Sequence, residues 1–270
     1  NECDERKNTK HINRLLRSTN YLADYTIFIA SWLKKLNIYN KTKPNSVILN
    51  GADQKIFNAN LNNYWDKKKP LKIVTHHWSS NYMKGFDIYK EIDELLLSNK
   101  WNDKFEFTYI GNLPKNFTFK RSKHLKPISG INLGKELQKH HVYLTASLNE
   151  PAGMHHIEGA QCGLPLIYRN SGALPEYCKD FGIAFNRSYF IPAIKKMLLE
   201  YDQYKSNIKN YPNNSLKMNY EYLELFNRLI LNRKKLIKNR RILISPIIVI
   251  NYFLIYLYSF KKFVKKKFFR

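Results

Sequence analysis

The segment Ser147–Ile167, SLNEPAGMHHIEGAQCGLPLI, contains a turn between a predicted strand and a predicted helix. It follows the apolar run Val142–Ala146, which is typical of a buried strand, and Gly153 stands just before a helix predicted from Met154. A helix start offers free backbone N–H groups and the positive end of the helix dipole, and a glycine lets an anion approach the backbone closely. This segment therefore predicts an α/β fold with a phosphate-binding turn.

Two carboxylates flank this turn. Glu150 lies in the loop, and Glu158 follows eight positions later, about one turn inside the helix. Carboxylates accept hydrogen bonds from sugar hydroxyls, so this pair suits a ligand with hydroxyls on both sides of a diphosphate, as in a nucleotide-sugar. The alternative is an acidic residue that stabilises the helix start and a solvated Glu on the helix face. The spacing alone favours neither interpretation.

Outward from this segment, short apolar runs alternate with stretches of helical spacing. The predicted strands are Thr26–Ala30, Val47–Leu49, Lys72–Thr75, Phe105–Ile110, His124–Pro127, Val142–Ala146, Leu166–Tyr168 and Ile183–Phe185. The predicted helices are Asp87–Leu97, Leu133–His140, Met154–Cys162 and Tyr189–Tyr201, and the polar stretch Gln203–Asn214 is interpreted as a linker. This alternation predicts a Rossmann-like parallel sheet with helices on both faces, followed by a basic, apolar helical extension at the carboxyl terminus.

Unusual residues follow the predicted strands. The stretch His76–Gly85 comes after Lys72–Thr75, and Gly111 and Asn112 come after Phe105–Ile110. In such sheets ligands bind outside the carboxyl ends of the strands. We therefore expect these loops and the Gly-containing turn described above to form one site.

Four stretches, in this order along the chain, resemble one known family. The segment Ser147–Ile167 looks like the E-x7-E region of retaining glycosyltransferases of the GT-B fold, family 4. Ser171–Glu176 resembles that family's G-G-x-P-E turn, and Lys84-Gly85 matches its K-G at the first strand–helix turn of the donor domain. Val47–Asp53 with Phe57 resembles the V-I-x-N-G-V-D-x-x-x-F stretch where the chain enters that domain.

The resemblance implies a role for each matching position. Glu150 and Lys84 would be catalytic, the carboxylate contacting the transferred sugar and the ammonium offsetting the charge of the diphosphate. Glu158 would bind the ribose hydroxyls of the nucleotide. The other expected donor-binding positions are the backbone at Gly153, Met154 and His155 for the diphosphate, Pro127 and Ile128 for the base, and Gly111 and Asn112 at the same edge.

The activity that the resemblance implies is transfer of a hexose from a nucleotide-diphosphate sugar with retention, in glycan, glycolipid or polysaccharide biosynthesis. Stabilising the leaving diphosphate is then the main electrostatic task. The sequence has no Asp-x-Asp motif, so we expect no metal or other cofactor. One alternative is a glycoside hydrolase or phosphorylase with an acid/base pair from Glu150, Glu158 or Glu176. Another is a non-catalytic basic adaptor at a membrane or nucleic acid.

The chain departs from the family pattern near the expected phosphate. Ser79 stands where the family often has Arg, and the loop His76–Met83 has no Lys or Arg. His76 or His77 is a candidate replacement, although paired histidines in a loop are more often structural or solvated. Ser171 stands where glycine is common.

Other metal-type residues are interpreted as structural. His155 and His156 are expected to pack at the helix start rather than bind metal, and Cys162 is expected to be a small core residue. Three cysteines, Cys3, Cys162 and Cys178, exclude a disulfide scaffold, and their odd number fits a reducing compartment.

Charge is concentrated at the carboxyl terminus. The 270-residue chain has 46 Lys and Arg against 21 Asp and Glu, a net charge of +25, and 44% hydrophobic residues, which exclude a wholly disordered chain. Leu225–Arg270 holds thirteen basic residues and no acidic one, around the 19-residue uncharged run Ile242–Phe260. Aromatic residues and basic flanks favour a lipid–water boundary. We therefore predict that residues 228–270 associate with the membrane, at its cytoplasmic face.

Three other uses of the basic tail were weighed. A run of this length is close to what spans a bilayer, so a spanning helix is one alternative. A helix packed on a part of the protein outside this chain is a second. Nucleic-acid binding is the third, but the sequence has no zinc-finger spacing, RNP-like aromatic motif or helix-turn-helix signature, so we predict no nucleic-acid partner.

These features predict three regions. Residues 1–50 would be a remnant of an N-terminal acceptor domain and hinge, residues 51–215 a donor-binding domain, and residues 216–270 a helix and membrane-associating tail. Ala23–Ser31 resembles the end of the family's first domain. The chain begins with Asn1 rather than Met, so we expect a fragment that binds a nucleotide-sugar but transfers little without an acceptor domain.

Overall fold

The computed structural model describes residues 3–60, 64–238 and 246–268. These residues form two units. One unit is Leu49–Asn219, and the other combines the residues up to Ile48 with those from Tyr220 onward.

The strands and helices of the described residues are as follows. The strands are β1 Thr26–Phe28, β2 Asn45–Val47, β3 Leu71–His77, β4 Phe105–Gly111, β5 Lys123–Leu125, β6 Val142–Thr145, β7 Leu166–Arg169 and β8 Gly182–Phe185. The helices are α1 Asp4–Lys7, α2 Ile12–Asn20, α3 Phe86–Leu95, α4 Asn99–Asn102, α5 Gly130–Leu137, α6 His155–Gln161, α7 Leu174–Cys178, α8 Phe190–Asn207, α9 Ser215–Leu231, α10 Arg233–Lys238 and α11 Pro246–Phe268. Short 3₁₀ turns cover Ser31–Lys35, Tyr82–Lys84, Arg187–Tyr189 and Ile208–Asn210.

The Leu49–Asn219 unit is built on a six-stranded parallel sheet in the order β5-β4-β3-β6-β7-β8. Successive strands are added first on one side of β3 and then on the other, so the direction of the chain across the sheet reverses between β3 and β6. A parallel sheet of this kind leaves a ligand crevice at that reversal, outside the carboxyl ends of the strands. The α/β fold predicted from the alternation of runs is therefore confirmed.

Buried aromatic and aliphatic side chains fix the helices on the sheet. Phe86 and Tyr89 of α3 pack with Phe107 and Tyr109 of β4, and all four are 2% exposed or less. Burying one such side chain stabilises the fold by roughly 1.5–3 kcal/mol. This packing holds the loop before α3 against the carboxyl edge of the sheet.

Gly85 explains why the turn before α3 ends in glycine. Its φ is +105°, which is open to glycine but not to most other residues, and an added Cβ would lie 2.4 Å from the Cβ of Ala146. Any side chain here would push the turn that carries Lys84 away from the end of β6.

Two sequence predictions were wrong in their boundaries. His76 and His77 are the last residues of β3 rather than part of a loop, and both are buried. The predicted linker Gln203–Asn214 begins inside α8, which continues to Asn207 because Tyr201 and Lys205 are buried one turn apart on its inner face. Smaller shifts of one to three residues affect the other ends, as expected where helices fray.

The second unit contains a small parallel pair of strands and two packed helices. Strands β1 and β2 pair in register beside a cluster of Phe28, Leu33 and Tyr39. Helix α2 packs on α11, where the rings of His11 and Tyr258 lie 5.6 Å apart.

Helix α11 covers only part of the uncharged run predicted from the sequence. Residues 242–245 of that run lie outside the described residues. Among the helices that the structure describes, none is both long enough and apolar enough to cross a membrane.

Candidate functional site

A cleft of about 500 Å³ opens at the carboxyl ends of β3 and β4 and at the start of α6. It lies at the point where the strand order reverses. Eight of the ten predicted site residues line it: Lys84, Gly111, Pro127, Ile128, Gly153, Met154, His155 and Glu158. The two remaining predicted residues lie one contact behind the wall. Glu150 bonds to Lys84, and Asn112 donates through Nδ2 to the carbonyl of Trp78 at 2.7 Å.

At one end of the Glu150–Glu158 motif, Glu150 forms a partly buried ion pair with Lys84. The Lys84 Nζ lies 2.9 Å from Glu150 Oε2, and the two side chains are 16% and 5% exposed. Asn81 caps the 3₁₀ turn that carries Lys84, because its side chain accepts from the Met83 N–H. The Met83 carbonyl accepts from the Leu148 N–H at 2.8 Å. These bonds join the turn after β3 to the loop after β6.

The Glu150 loop rests on the turn Ser171–Glu176. The Ala173 N–H donates to the Glu150 carbonyl at 2.8 Å, and the Asn149 N–H donates to Ser171 Oγ at 2.9 Å. Ser171, which stands where the family commonly has glycine, thus contributes a hydrogen bond through its side chain. A Cβ on Gly172 would lie 2.5 Å from the Glu150 backbone nitrogen, so the two motifs are in direct contact.

At the other end of the motif, Glu158 contacts His76, and both residues line the cleft. Glu158 Oε2 lies 2.7 Å from His76 Nε2, and the side chains are 17% and 11% exposed. The sequence placed Glu158 correctly on a helix but offered no signal for its partner, because His76 was assigned to a loop.

His155 and His156, at the start of α6, are buried and neutral at pH 7. His155 Nε2 lies 2.8 Å from Thr145 Oγ1, and burial lowers the His155 pKa well below its usual value. Burial also lowers the pKa of His156 to about 3. The His156 ring packs edge-on against Tyr177, and neither ring nitrogen has a hydrogen-bond partner in the described part of the chain. This placement matches the packing role expected for His156, whereas His155 also lines the cleft.

Positive charge in the cleft comes from Lys84. Among the described residues that line the cleft, it is the only Lys or Arg, and Ser79 lines the wall where the family often has Arg. His77, a candidate replacement for that charge, hydrogen-bonds through Nε2 to the Tyr89 hydroxyl at 2.8 Å. No group of three or more His, Cys, Asp or Glu within residues 3–60, 64–238 and 246–268 is arranged to hold a metal ion.

Several wall residues were not predicted from the sequence. Trp78 lines the mouth of the cleft and is 70% exposed, and Ile56 and Leu133 form part of the apolar wall. In the sequence alone, an aromatic residue in a loop after a strand is only a weak indication of a ligand site. The apolar wall carries no signal, because its residues resemble those of any core.

Comparison with known proteins gives likeness in structure only. No protein-family profile matches the sequence, and no curated protein matches it. A sucrose-phosphate synthase from Thermosynechococcus elongatus superposes with a TM-score of 0.62 and 17% identity, over 85% of this chain and 64% of that one. Anabaena HepE, solved in complex with UDP-glucose, superposes with a TM-score of 0.63 and 15% identity, over 80% of this chain and 67% of that one. The lipopolysaccharide outer core galactosyltransferase WaaB superposes with a TM-score of 0.57 and 16% identity, over 77% of this chain and 63% of that one.

These likenesses establish the fold as that of a GT-B Rossmann-like domain. The chain spans about two thirds of the length of each of these three structures.

Proposed function

We propose that the Leu49–Asn219 unit binds a nucleotide-sugar and is the donor-binding part of a retaining glycosyltransferase of the hexosyltransferase type. The observation that carries this proposal is one cleft whose wall contains seven of the predicted donor-binding residues together with Lys84. Its volume of about 500 Å³ is within the range of small-molecule sites. The glycosyltransferase neighbours support it, and HepE was solved with UDP-glucose.

The proposed ligand extends along the cleft from the Glu158 end of the motif towards the Glu150 end. The base lies against Pro127 and Ile128, the ribose hydroxyls bond to Glu158, and the diphosphate meets the backbone at Gly153. The transferred sugar lies towards Glu150. This orientation places the ribose at Glu158 and the transferred sugar on the side of the Lys84–Glu150 pair, with the anion between them.

Lys84 has a chemical task in this arrangement. Departure of the nucleoside diphosphate develops negative charge, and a preorganised cation in a cleft stabilises it more than the same cation in water does. Lys84 is held by Glu150 before the ligand arrives, so little reorganisation is needed when charge develops. We propose transfer without a metal ion on this basis.

The test is calorimetric titration with UDP, GDP and their glucose-linked forms. We expect binding of at least one of them, and we expect Glu158→Ala to weaken it by about 1–3 kcal/mol, the cost of losing hydrogen bonds to a charged group. Glu106→Ala is the matched control, because Glu106 is exposed on β4 and does not line the cleft. Absence of binding to all four ligands at millimolar concentration would overturn the proposal.

We also propose that residues 228–270 bind an anionic membrane surface at the cytoplasmic face. Leu225–Arg270 has no acidic residue, and α11 exposes Phe253 and Phe263 at 61% and 58%. Vesicle co-sedimentation tests this proposal. We expect more protein to pellet with phosphatidylserine vesicles than with phosphatidylcholine vesicles, and less after Lys261→Glu with Phe253→Glu. Equal pelleting in all arms would contradict it.

A further inference from the structure

Three side chains from three elements form a continuous hydrogen-bonded path into the cleft. Tyr143 of β6 lies with its hydroxyl 3.1 Å from His76 Nδ1, and His76 Nε2 lies 2.7 Å from Glu158 Oε2 on α6. Tyr143 is fully buried, His76 is 8% exposed, and Glu158 lines the cleft. The path therefore runs from the interior of the sheet to the wall of the site.

The direction of these hydrogen bonds follows from the groups involved. An ionised carboxylate only accepts, so His76 Nε2 carries a hydrogen and donates it to Glu158. The Tyr143 oxygen accepts from the His76 backbone N–H at 3.1 Å. Its own hydrogen has two acceptors within reach, His76 Nδ1 at 3.1 Å and the His76 carbonyl oxygen at 3.4 Å, and we assign it to the nearer Nδ1. Burial raises the pKa of Tyr143 well above its usual value, so the hydroxyl keeps that hydrogen at neutral pH.

The register of the strands and the packing of α6 fix the positions of the three groups relative to one another. His76 pairs with Ile110 in the register of β3 and β4. The register of β3 and β6 pairs Val74 with Tyr143. A Cβ on Gly159 would lie 2.3 Å from the Tyr143 ring, so α6 packs on this ring only because residue 159 is glycine. Glu158, the preceding residue, is thereby brought within reach of His76.

The path uses one carboxylate oxygen of Glu158, whose side chain lines the cleft. Within the described part of the chain, no hydrogen bond reaches Glu158 Oε1, and the side chain is 17% exposed. A free Glu side chain populates many rotamers, and ordering it on binding has an entropic cost. A side chain already held at Oε2 avoids most of that cost.

We propose that His76, supported by Tyr143, is a positioning residue that holds Glu158 ready for the vicinal hydroxyls of a ribose, so that the site selects ribonucleotides over 2′-deoxyribonucleotides. This inference rests on the function proposed above. It assigns a task to a histidine that the sequence suggested only as a substitute for a missing phosphate-binding cation.

The test is calorimetric measurement of the Kd for UDP and for 2′-deoxy-UDP with the full chain. For the wild type we expect UDP to bind about tenfold more tightly, the equivalent of one good hydrogen bond. His76→Phe should reduce this ratio to near one, as Glu158→Gln should. His76→Gln should keep most of the ratio, because the glutamine Nε2 can donate to Glu158 as the imidazole does.

Two further variants separate positioning from general damage to the fold. Tyr143→Phe should give an intermediate ratio, because His76 stays but loses its support. His77→Gln is the matched control. Its ring bonds to Tyr89 instead, so any loss of affinity should affect both nucleotides equally. If His76→Phe does not fold, the ratios for His76→Gln and Tyr143→Phe decide.

The possible outcomes distinguish the two proposals. A wild-type chain that binds none of UDP, GDP and their glucose-linked forms contradicts the proposed function, and the positioning role is overturned with it. A chain that binds GDP but not UDP is tested in the same way with GDP and 2′-deoxy-GDP. Binding of UDP with no preference over 2′-deoxy-UDP overturns the positioning role alone. The same holds if the preference is unchanged in His76→Phe.

Discussion

The two ends of the Glu150–Glu158 motif hold their carboxylates in different ways. Glu150 is paired with a full positive charge on Lys84, whereas Glu158 accepts from the imidazole of His76. His76 lies near the end of β3, and Lys84 lies in the turn between β3 and α3. The Lys84 end matches the family pattern residue by residue, while the His76 end departs from it. The comparison shows that one strand–turn segment serves both carboxylates of the facing motif, with an ionic contact at one end and a hydrogen-bonded relay at the other.

The largest expected effect is loss of the charged partner at the first end. Lys84→Met leaves the Glu150 carboxylate, only 5% exposed, without its cation. Breaking a buried pair in this way costs about 3–5 kcal/mol of unfolding free energy, measured by urea denaturation. The double variant Lys84→Met with Glu150→Gln should recover most of this loss.

The control for that experiment is a surface pair. Lys90 and Glu94 are 3.8 Å apart with side chains 64% and 58% exposed, so Lys90→Met should cost about 0.5 kcal/mol or less. Equal losses for Lys84→Met and Lys90→Met would contradict the contrast between a buried ionic end and the solvent surface.

The next effect concerns the neutral histidines at the start of α6. The pKa of His156 is about 3 in the fold against 6.5 in the unfolded chain, so below pH 6.5 the unfolded state takes up the proton first. Stability is therefore lost as pH falls from 6.5 towards 3. The free energy of unfolding of His156→Phe, taken relative to that of the wild type, should rise by about 2 kcal/mol from pH 7 to pH 5. Urea denaturation at both pH values measures this change.

A substitution without a titrating group gives the reference. Ile157→Val, at the neighbouring buried position, should lower the free energy of unfolding by about 0.5–1.5 kcal/mol. This loss should be the same at both pH values. Parallel stability curves for wild type and His156→Phe would show that the ring does not titrate as its burial requires.

The smallest expected effect follows from adding a second positive charge to the wall of the cleft. Ser79→Arg places a second cation on the cleft wall and should tighten UDP binding by about 1 kcal/mol, or fivefold, at low salt. Most of the gain should disappear at 0.5–1 M salt, because an exposed charge is screened. Ser80→Arg, one residue further along and outside the lining of the cleft, should change affinity less. Equal gains for both variants would indicate a general charge effect.

Much of the fold follows from local patterns. The apolar run before Glu150 and the helical spacing after it are repeated along the chain, and alternating strands and helices have few stable packings. The spacing of Glu150 and Glu158 also follows from local structure, because the start of α6 sets it. By contrast, the extension of β3 through His76 and His77 was missed, since two consecutive polar residues give no strand signal. Their burial comes from neighbours on β4, β6 and α6.

The sequence by itself determined the α/β fold and the positions of the two carboxylates, because strand and helix periods and a glycine at a turn act within a few residues. Only the tertiary structure decided which group each carboxylate contacts. Lys84 and Glu150 are 66 residues apart and His76 and Glu158 are 82 residues apart, so their pairing depends on the strand order, the register and the close packing at Gly85 and Gly159. A hydrogen bond requires its atoms to be within about 3 Å, and that precision arises only when the sheet and its helices are packed together.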